Sequence, residues 1–188
     1  PGASFVVNAE LPLLVAPFRG ERYAPARVSA VLAPPYDVIA SEDRPRYAAR
    51  DPHNIVHLIV PEATAGEDRY TQAAARLDAW RREGVLRRDP ADAVYVVAQG
   101  FALPTGERRT RLGMFAAVAA EPFIVGRVRP HERTHAAPKA DRMALLEATR
   151  TNLESIFLLA PDPDRALAQT LARVAAGPPD VRAELDGV

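Results

Sequence analysis

Apolar and polar positions along this chain come in short blocks rather than in one sustained period, and the blocks predict strands and helices in mixed order. Residues 11–18 form an apolar run bracketed by prolines, which reads as an edge strand or an extended entry segment. Residues 28–32 lead into Ala33-Pro34-Pro35-Tyr36-Asp37-Val38-Ile39, where two prolines pin a stiff extended turn. That turn either presents Tyr36 and Asp37 at a fixed angle or serves as a rigid crossover packed on the core. Ser41, followed by Glu42 and Asp43, reads as the N-cap of a short helix reaching about Ala49. A turn at 51–54 then precedes a buried strand over 55–60.

Tyr70, Ala74, Leu77 and Trp80 recur at helical spacing, so 67–83 is predicted to be an amphipathic helix stopped by Gly84. Strands are expected over 93–101 and 109–119 on either side of a Pro104-Thr105-Gly106 turn, and over 123–128. A helix over 138–152 with Met143, Leu146 and Leu153 inward, a strand over 156–159, a helix over 164–175 and a strand from Val181 complete the reading. The fold class is α+β, a mixed sheet with a hairpin and packed helices. Its expected division is an N-terminal α+β region over 1–120 and a second region over 121–188.

Composition narrows the function classes. The 188 residues are 48% hydrophobic and 26% charged, the make-up of a globular protein with a core rather than of a disordered one. Twenty-four acids balance twenty-four bases. That balance leaves no basic field for polyphosphate and disfavours nucleic acid as a partner. The absence of Cys excludes disulfides and fits a reducing cytoplasm, and no apolar run of membrane-spanning length or leader pattern is present, so no membrane partner is expected.

The densest chemistry lies in Arg129-Pro130-His131-Glu132-Arg133-Thr134 and the following Lys139-Ala140-Asp141-Arg142. The chain has 23 Arg and one Lys, and that Lys is Lys139. An ammonium is a compact point charge whereas guanidinium is a planar fork, so an isolated Lys among so many Arg points to a place that needs an ammonium, for instance to reach phosphate oxygens. A strand ending in this loop, with a helix starting near Lys139, would gather these side chains and free helix N–H groups at one mouth suited to anions. The competing reading is a solvated salt-bridge network.

His131 to His135 also satisfy H-E-x-x-H, whose zinc logic needs both imidazoles on one helix face. Pro130 and Pro138 leave room for two turns at most, Arg129 and Arg133 would set positive charge beside the ion, and no His or Cys follows as a third ligand. No zinc or other metal site is expected from these histidines. His53 and His57 read as a turn residue and a strand residue.

Several segments carry a resemblance to the bacterial and archaeal family known as domain of unknown function 1015. They are the 33–39 turn, Asn54-Ile55-Val56-His57-Leu58-Ile59 with Pro61-Glu62, Gly84-Val85-Leu86, and the two parts of the charged cluster, in the family's order over nearly the whole chain. In their later part, members resemble the ParB and sulfiredoxin-like fold of free-serine kinases, where a Pro-His-Glu motif carries the catalytic carboxylate and an Asp-Gly-His-His-Arg motif holds phosphate. Pro130-His131-Glu132 matches the first motif. The second is missing, and the chain is expected to be a piece of a longer protein.

The resemblance implies a small-molecule kinase-like phosphotransferase acting on serine or a similar hydroxylated metabolite, with ATP or ADP and Mg²⁺. Glu132 would act as general base, positioned by His131. Lys139, Arg142 and Arg129 would neutralise the transferred phosphoryl group, and Asp141 would hold the ion. Thr134 would either touch substrate or cap the next turn. The alternative is a non-catalytic ligand-binding or regulatory module of the same fold.

Overall fold

The computed structural model describes residues 13–64, 66–130 and 133–185, and within them six helices and six strands mix in an α+β arrangement. Among these residues the strands form separate antiparallel pairs instead of one sheet. β1 (Val15–Ala16) pairs with β6 (Ala117–Val118), β2 (Glu21–Tyr23) with β3 (Leu86–Arg88), and β4 (Tyr95–Ala102) with β5 (Arg108–Phe115). Phe18 forms a single bridge to Ala93 between the first two pairings. Residues 15–23 are therefore one extended ribbon that changes partners, and Pro17, which has no N–H to offer a ladder, marks the change. The β4–β5 hairpin turns where the sequence predicts, with Gly106 at φ +83° and the Leu103 N–H donating to Glu107 O at 2.8 Å.

The core is built around α4 (Arg69–Arg82). Asp68 Oδ2 accepts the Tyr70 and Thr71 N–H groups at 3.1 and 3.0 Å and starts the helix. Gly84 at φ +72° ends it, with the Val85 N–H donating to Trp80 O and the Gly84 N–H to Arg81 O, a Schellman closure. Ala73, Leu77 and Trp80 are buried, and Leu77 and Trp80 cluster with Leu58 against Tyr23, Ile55, Val85, Leu86 and Leu153. Across α4 lies α5 (Ala136–Thr149), which buries Leu145 and Thr149. α6 (Ala166–Ala175) packs on the β4–β5 hairpin.

The segment 55–60 is buried as the sequence predicts, but it is a helix and not a strand: α3 spans Val56–Ile59. A short apolar run does not distinguish the two by periodicity. The decision comes from Asn54, which is fully buried. Its Oδ1 accepts the Val56 N–H at 3.0 Å and turns the chain into the helix, while its Nδ2 donates to Ala30 O and Leu32 O at 3.0 and 2.9 Å around α1 (Val28–Val31).

Other expected elements also give way. Residues 123–128 hold a 3-10 turn (Phe123–Val125) rather than a strand: Gly126 follows at φ +81°, and Arg127 Nε donates to both Glu121 carboxylate oxygens at 3.1 and 2.8 Å, closing the loop on itself. Residues 156–159 form no strand. Ile156 and Leu159 are 85% and 82% exposed, and Arg111 stacks on Phe157. Residues 181–185 form none either.

The helix expected from Ser41 begins later, as α2 (Arg44–Ala48) with Pro45 in its first turn. The Ser41 hydroxyl donates to Glu42 rather than capping it. α5 stops at Thr149 instead of Asn152, because Arg150 is left-handed at φ +51° and the Thr149 hydroxyl donates to Leu145 O. Its inward residues are Leu145 and Thr149, while Met143 is 49% exposed. Among the described residues, no helix is long and apolar enough to cross a membrane.

Replacing Asn54 by Ala leaves one buried N–H and two part-buried carbonyls without their side-chain partner. At about 1–3 kcal/mol for an unsatisfied buried group, Asn54→Ala is expected to destabilise the protein by roughly that amount, most of it from the Val56 N–H. Urea denaturation checks this, and a loss under about 1 kcal/mol would show that α3 is held by its apolar packing alone.

Candidate functional site

Three of the residues singled out in the sequence, Tyr36, Asp141 and Arg142, meet at one place. Arg142 projects from α5 into the gap between α3, α4 and the 33–39 turn. Its Nη1 donates to Ile59 O at 2.8 Å and to Glu154 Oε2 at 2.9 Å, its Nε donates to Asp141 Oδ2 at 2.9 Å, and its guanidinium lies 4.1 Å from the centre of the Tyr36 ring. Glu154 reaches the same turn from the other side, accepting the Tyr36 N–H at 2.9 Å. The two prolines thus deliver Tyr36 to a charged clamp.

Asp141 links this clamp to the start of α4. Its Oδ1 accepts from Arg69 Nη2 at 2.6 Å and from the Tyr70 hydroxyl at 2.7 Å. Burial alone would push the Asp141 carboxyl upward, but hydrogen bonds from Arg142 and Tyr70 and the nearby Arg142 and Arg69 charges outweigh it and hold the group below the usual carboxylate range. Both oxygens of Asp141 are engaged. In this arrangement the carboxylate offers Mg²⁺ no open position, and among the described residues no three His, Asp or Glu side chains gather as a metal-binding group.

A second group of singled-out residues flanks the start of α5 in the chain, Arg129 before residues 131–132 and Arg133, Thr134 and Lys139 beside or within its first turn. Arg129, Arg133, Thr134 and Lys139 are all exposed. Arg129 Nε donates to Gly126 O at 3.2 Å, and none of the three cations forms an ion pair with a described residue. The N-cap is His135, in extended conformation, and no side chain caps the helix end. Its first N–H groups thus stand next in the chain to Arg133 and Lys139, a cationic rim of a kind favourable to an anion. His131 and Glu132, the expected catalytic pair, lie outside the described residues. Residues 133–135 are not helical, whereas a zinc-binding H-E-x-x-H needs them on a helix. Asp37 is exposed and is not drawn into the Arg142 clamp.

Sequence reasoning did not reach Arg69 or Glu154. Glu154 is one carboxylate between Leu153 and Ser155, with no periodicity or motif to single it out. Arg69 follows the Asp68 cap, so its position at the head of α4 is legible and its partner is not. Tyr70 is read from the sequence as a core residue of α4, yet its hydroxyl belongs to the Asp141 network.

Glu154→Ala is expected to cost about 1–3 kcal/mol, because it strips an acceptor from both Arg142 and the Tyr36 N–H. A double-mutant cycle with Arg142→Ala should return a coupling well above the few tenths of a kcal/mol typical of independent sites, and additive losses would mean that the clamp is not cooperative. Asp141 adds an acid limb. Its folded pKa is lowered, so its contribution is present above the unfolded carboxylate range near 4 and lost as pH falls through the folded value. The stability gap between wild type and Asp141→Asn should therefore shrink between pH 5 and 3; a constant gap in urea titrations would contradict it.

No curated protein and no solved structure matches the chain. A family profile does, over residues 15–188, which reach from the first strand through the Tyr36 turn, the α3 segment and the α5 cluster. The chain belongs to that family, described as protein of unknown function (DUF1015).

Proposed function

We propose that this chain carries the anion-handling part of a small-molecule phosphotransferase acting on serine or a similar hydroxylated metabolite, its later part resembling the ParB and sulfiredoxin-like kinases. The supporting observation is the uncapped N-terminus of α5, with Arg133 just before it and Lys139 in its first turn, neither paired with a carboxylate from the described residues. Cations left unpaired in a chain of zero formal net charge suit a ligand that brings its own negative charge. In the step proposed, the substrate hydroxyl oxygen attacks the terminal phosphorus of a nucleoside triphosphate. An O–P bond forms, the bond to the nucleoside diphosphate breaks, and the hydroxyl proton passes to the Glu132 carboxylate. Arg129, Arg133 and Lys139 offset the charge on the phosphoryl oxygens.

Because Asp141 is engaged by Arg69, Tyr70 and Arg142, no step is assigned to an ion held there. The same observation favours a second reading, a ligand-binding module of this fold without turnover, in which Arg142 and Asp141 are purely structural and only the rim meets ligand.

Glu132→Gln separates the two readings. It removes basicity at nearly constant shape, so phosphotransfer should fall by about 10² to 10⁴ while nucleotide binding and the thermal melt hold. Lys139→Arg tests the rim, replacing a point charge by a wider planar fork, and should weaken nucleotide affinity measured by calorimetry by roughly 1–3 kcal/mol. Full activity in Glu132→Gln overturns the base assignment. Affinity unchanged in Lys139→Arg removes the ammonium from the site.

A further inference from the structure

Another cationic place lies beside α3, and it contains none of the residues assigned above. Here α2, α3 and α4 enclose a cleft of about 140 Å³ lined by Arg44, His57, Glu62, Thr64, Gln72 and Arg76. This is room for about four waters at roughly 30 Å³ each, and so for one small oxyanion.

Arg44 is held rigidly at its wall. The residue is 8% exposed, its Nε donates to Val60 O at 2.7 Å, and its Nη1 meets Glu62 Oε1 at 2.6 Å. Burial lowers the Arg44 pKa first, with the Glu62 charge opposing and the Arg76 charge adding to the fall. Arg76 stands on α4, exposed, with no ion pair to any described residue. His57 is half-buried between them, hydrogen-bonded to the Ala48 backbone, and is pushed toward its neutral form by burial and then by the Arg76 and Arg44 charges, with Glu62 opposing.

Two guanidinium groups and one carboxylate leave an excess positive charge in the cleft, and an imidazole beside it is ready to add a second. Glu62 is paired with Arg44, so the Arg76 charge is left over, and a further anion in the cleft would offset it. The polar wall is also in place: with its amide turned to the orientation that satisfies both ends, Gln72 donates to Glu62 O at 3.2 Å and accepts the Thr64 N–H at 3.3 Å. We propose that the cleft between α2, α3 and α4 binds a small oxyanion, a phosphate or carboxylate group, through Arg44, Arg76 and protonated His57. This site does not rest on the phosphotransferase reading.

Binding and protonation are linked in sign. The vacant cleft favours neutral His57, and an anion contacting Arg44 and Arg76 favours the imidazolium. Affinity therefore rises as pH falls through the His57 pKa of the complex.

The test follows the His57 ring protons by NMR on the full chain, titrating pH at constant ionic strength with inorganic phosphate, with acetate, and with chloride alone. Phosphate or acetate should raise the His57 pKa, and whichever acts at lower concentration names the ligand class. Arg76→Gln, at an exposed position where folding is checked by melting, should weaken the response at least about tenfold, with Arg76→Lys retaining part of it. Lys139→Gln should leave the His57 response unchanged. No shift with either oxyanion, an Arg76→Gln response equal to wild type, or loss of the response in Lys139→Gln would each overturn the site.

Discussion

A single turn of helix buried in the middle of a protein has more free backbone groups than it can satisfy itself, and this constraint organises most of the molecule. α3 is such a turn, with Val56, Leu58 and Ile59 buried around it. No sheet lies alongside to take its ends. Asn54 receives the incoming N–H and holds α1 against it, and at the far end two successive carbonyls, Ile59 and Val60, accept from Arg142 and Arg44. A buried backbone group left without a partner is costly. The partners come from the 51–54 turn, α2 and α5, and Asn54 also reaches α1, so satisfying α3 pulls α1, α2 and α5 around α4.

The use of Arg rather than Lys follows from the same demand. A guanidinium has five donors in a fixed plane and can join three acceptors at once, which an ammonium on a flexible stem does with less orientation. Arg142 joins Ile59, Asp141 and Glu154 while stacking on Tyr36. Arg81 joins Glu21, Asp78 and Thr151, tying the N-terminal ribbon to the segment after α5. Many of these bonds are partly exposed and individually modest, so what they contribute is geometry. Lys139 has no such junction to make, and its position on the unpaired rim is consistent with a role as a point charge.

What the sequence disclosed and what it hid divide along physical lines. α4 was legible because its cap, its apolar spacing and its Gly stop are local signals that agree. The β4–β5 hairpin was legible for the same reason. The 55–60 helix was not, since the choice between strand and helix was made by a buried Asn whose partners lie more than twenty residues away. Residues 123–128 and 156–159 have strand-like composition but find no neighbouring strand, and β-propensity describes fitness for a pleated surface rather than an intrinsic tendency to form one. At the site, the motif residues Tyr36, Asp141 and Arg142 were visible as chemistry, but their mutual neutralisation was not, because Arg69 and Glu154 carry no motif.

Overall neutrality conceals how unevenly charge is spent. Along the Arg142 clamp each cation meets a carboxylate or carbonyl at hydrogen-bond distance, so little field escapes. Among the described residues, Arg133 and Lys139 at the start of α5 and Arg76 in the α2–α3–α4 cleft are left without matching acids. With a screening length of about 8 Å at physiological salt, such small excesses attract little beyond their own neighbourhood and cannot assemble into the continuous basic track that a long polyanion requires. Within a few ångströms, however, an oriented guanidinium or an exposed helix N–H acts at full strength on a ligand small enough to enter. The distribution therefore favours compact anions over polymers, and the neutral total follows from where the arginines are consumed rather than from any lack of anion-binding capacity.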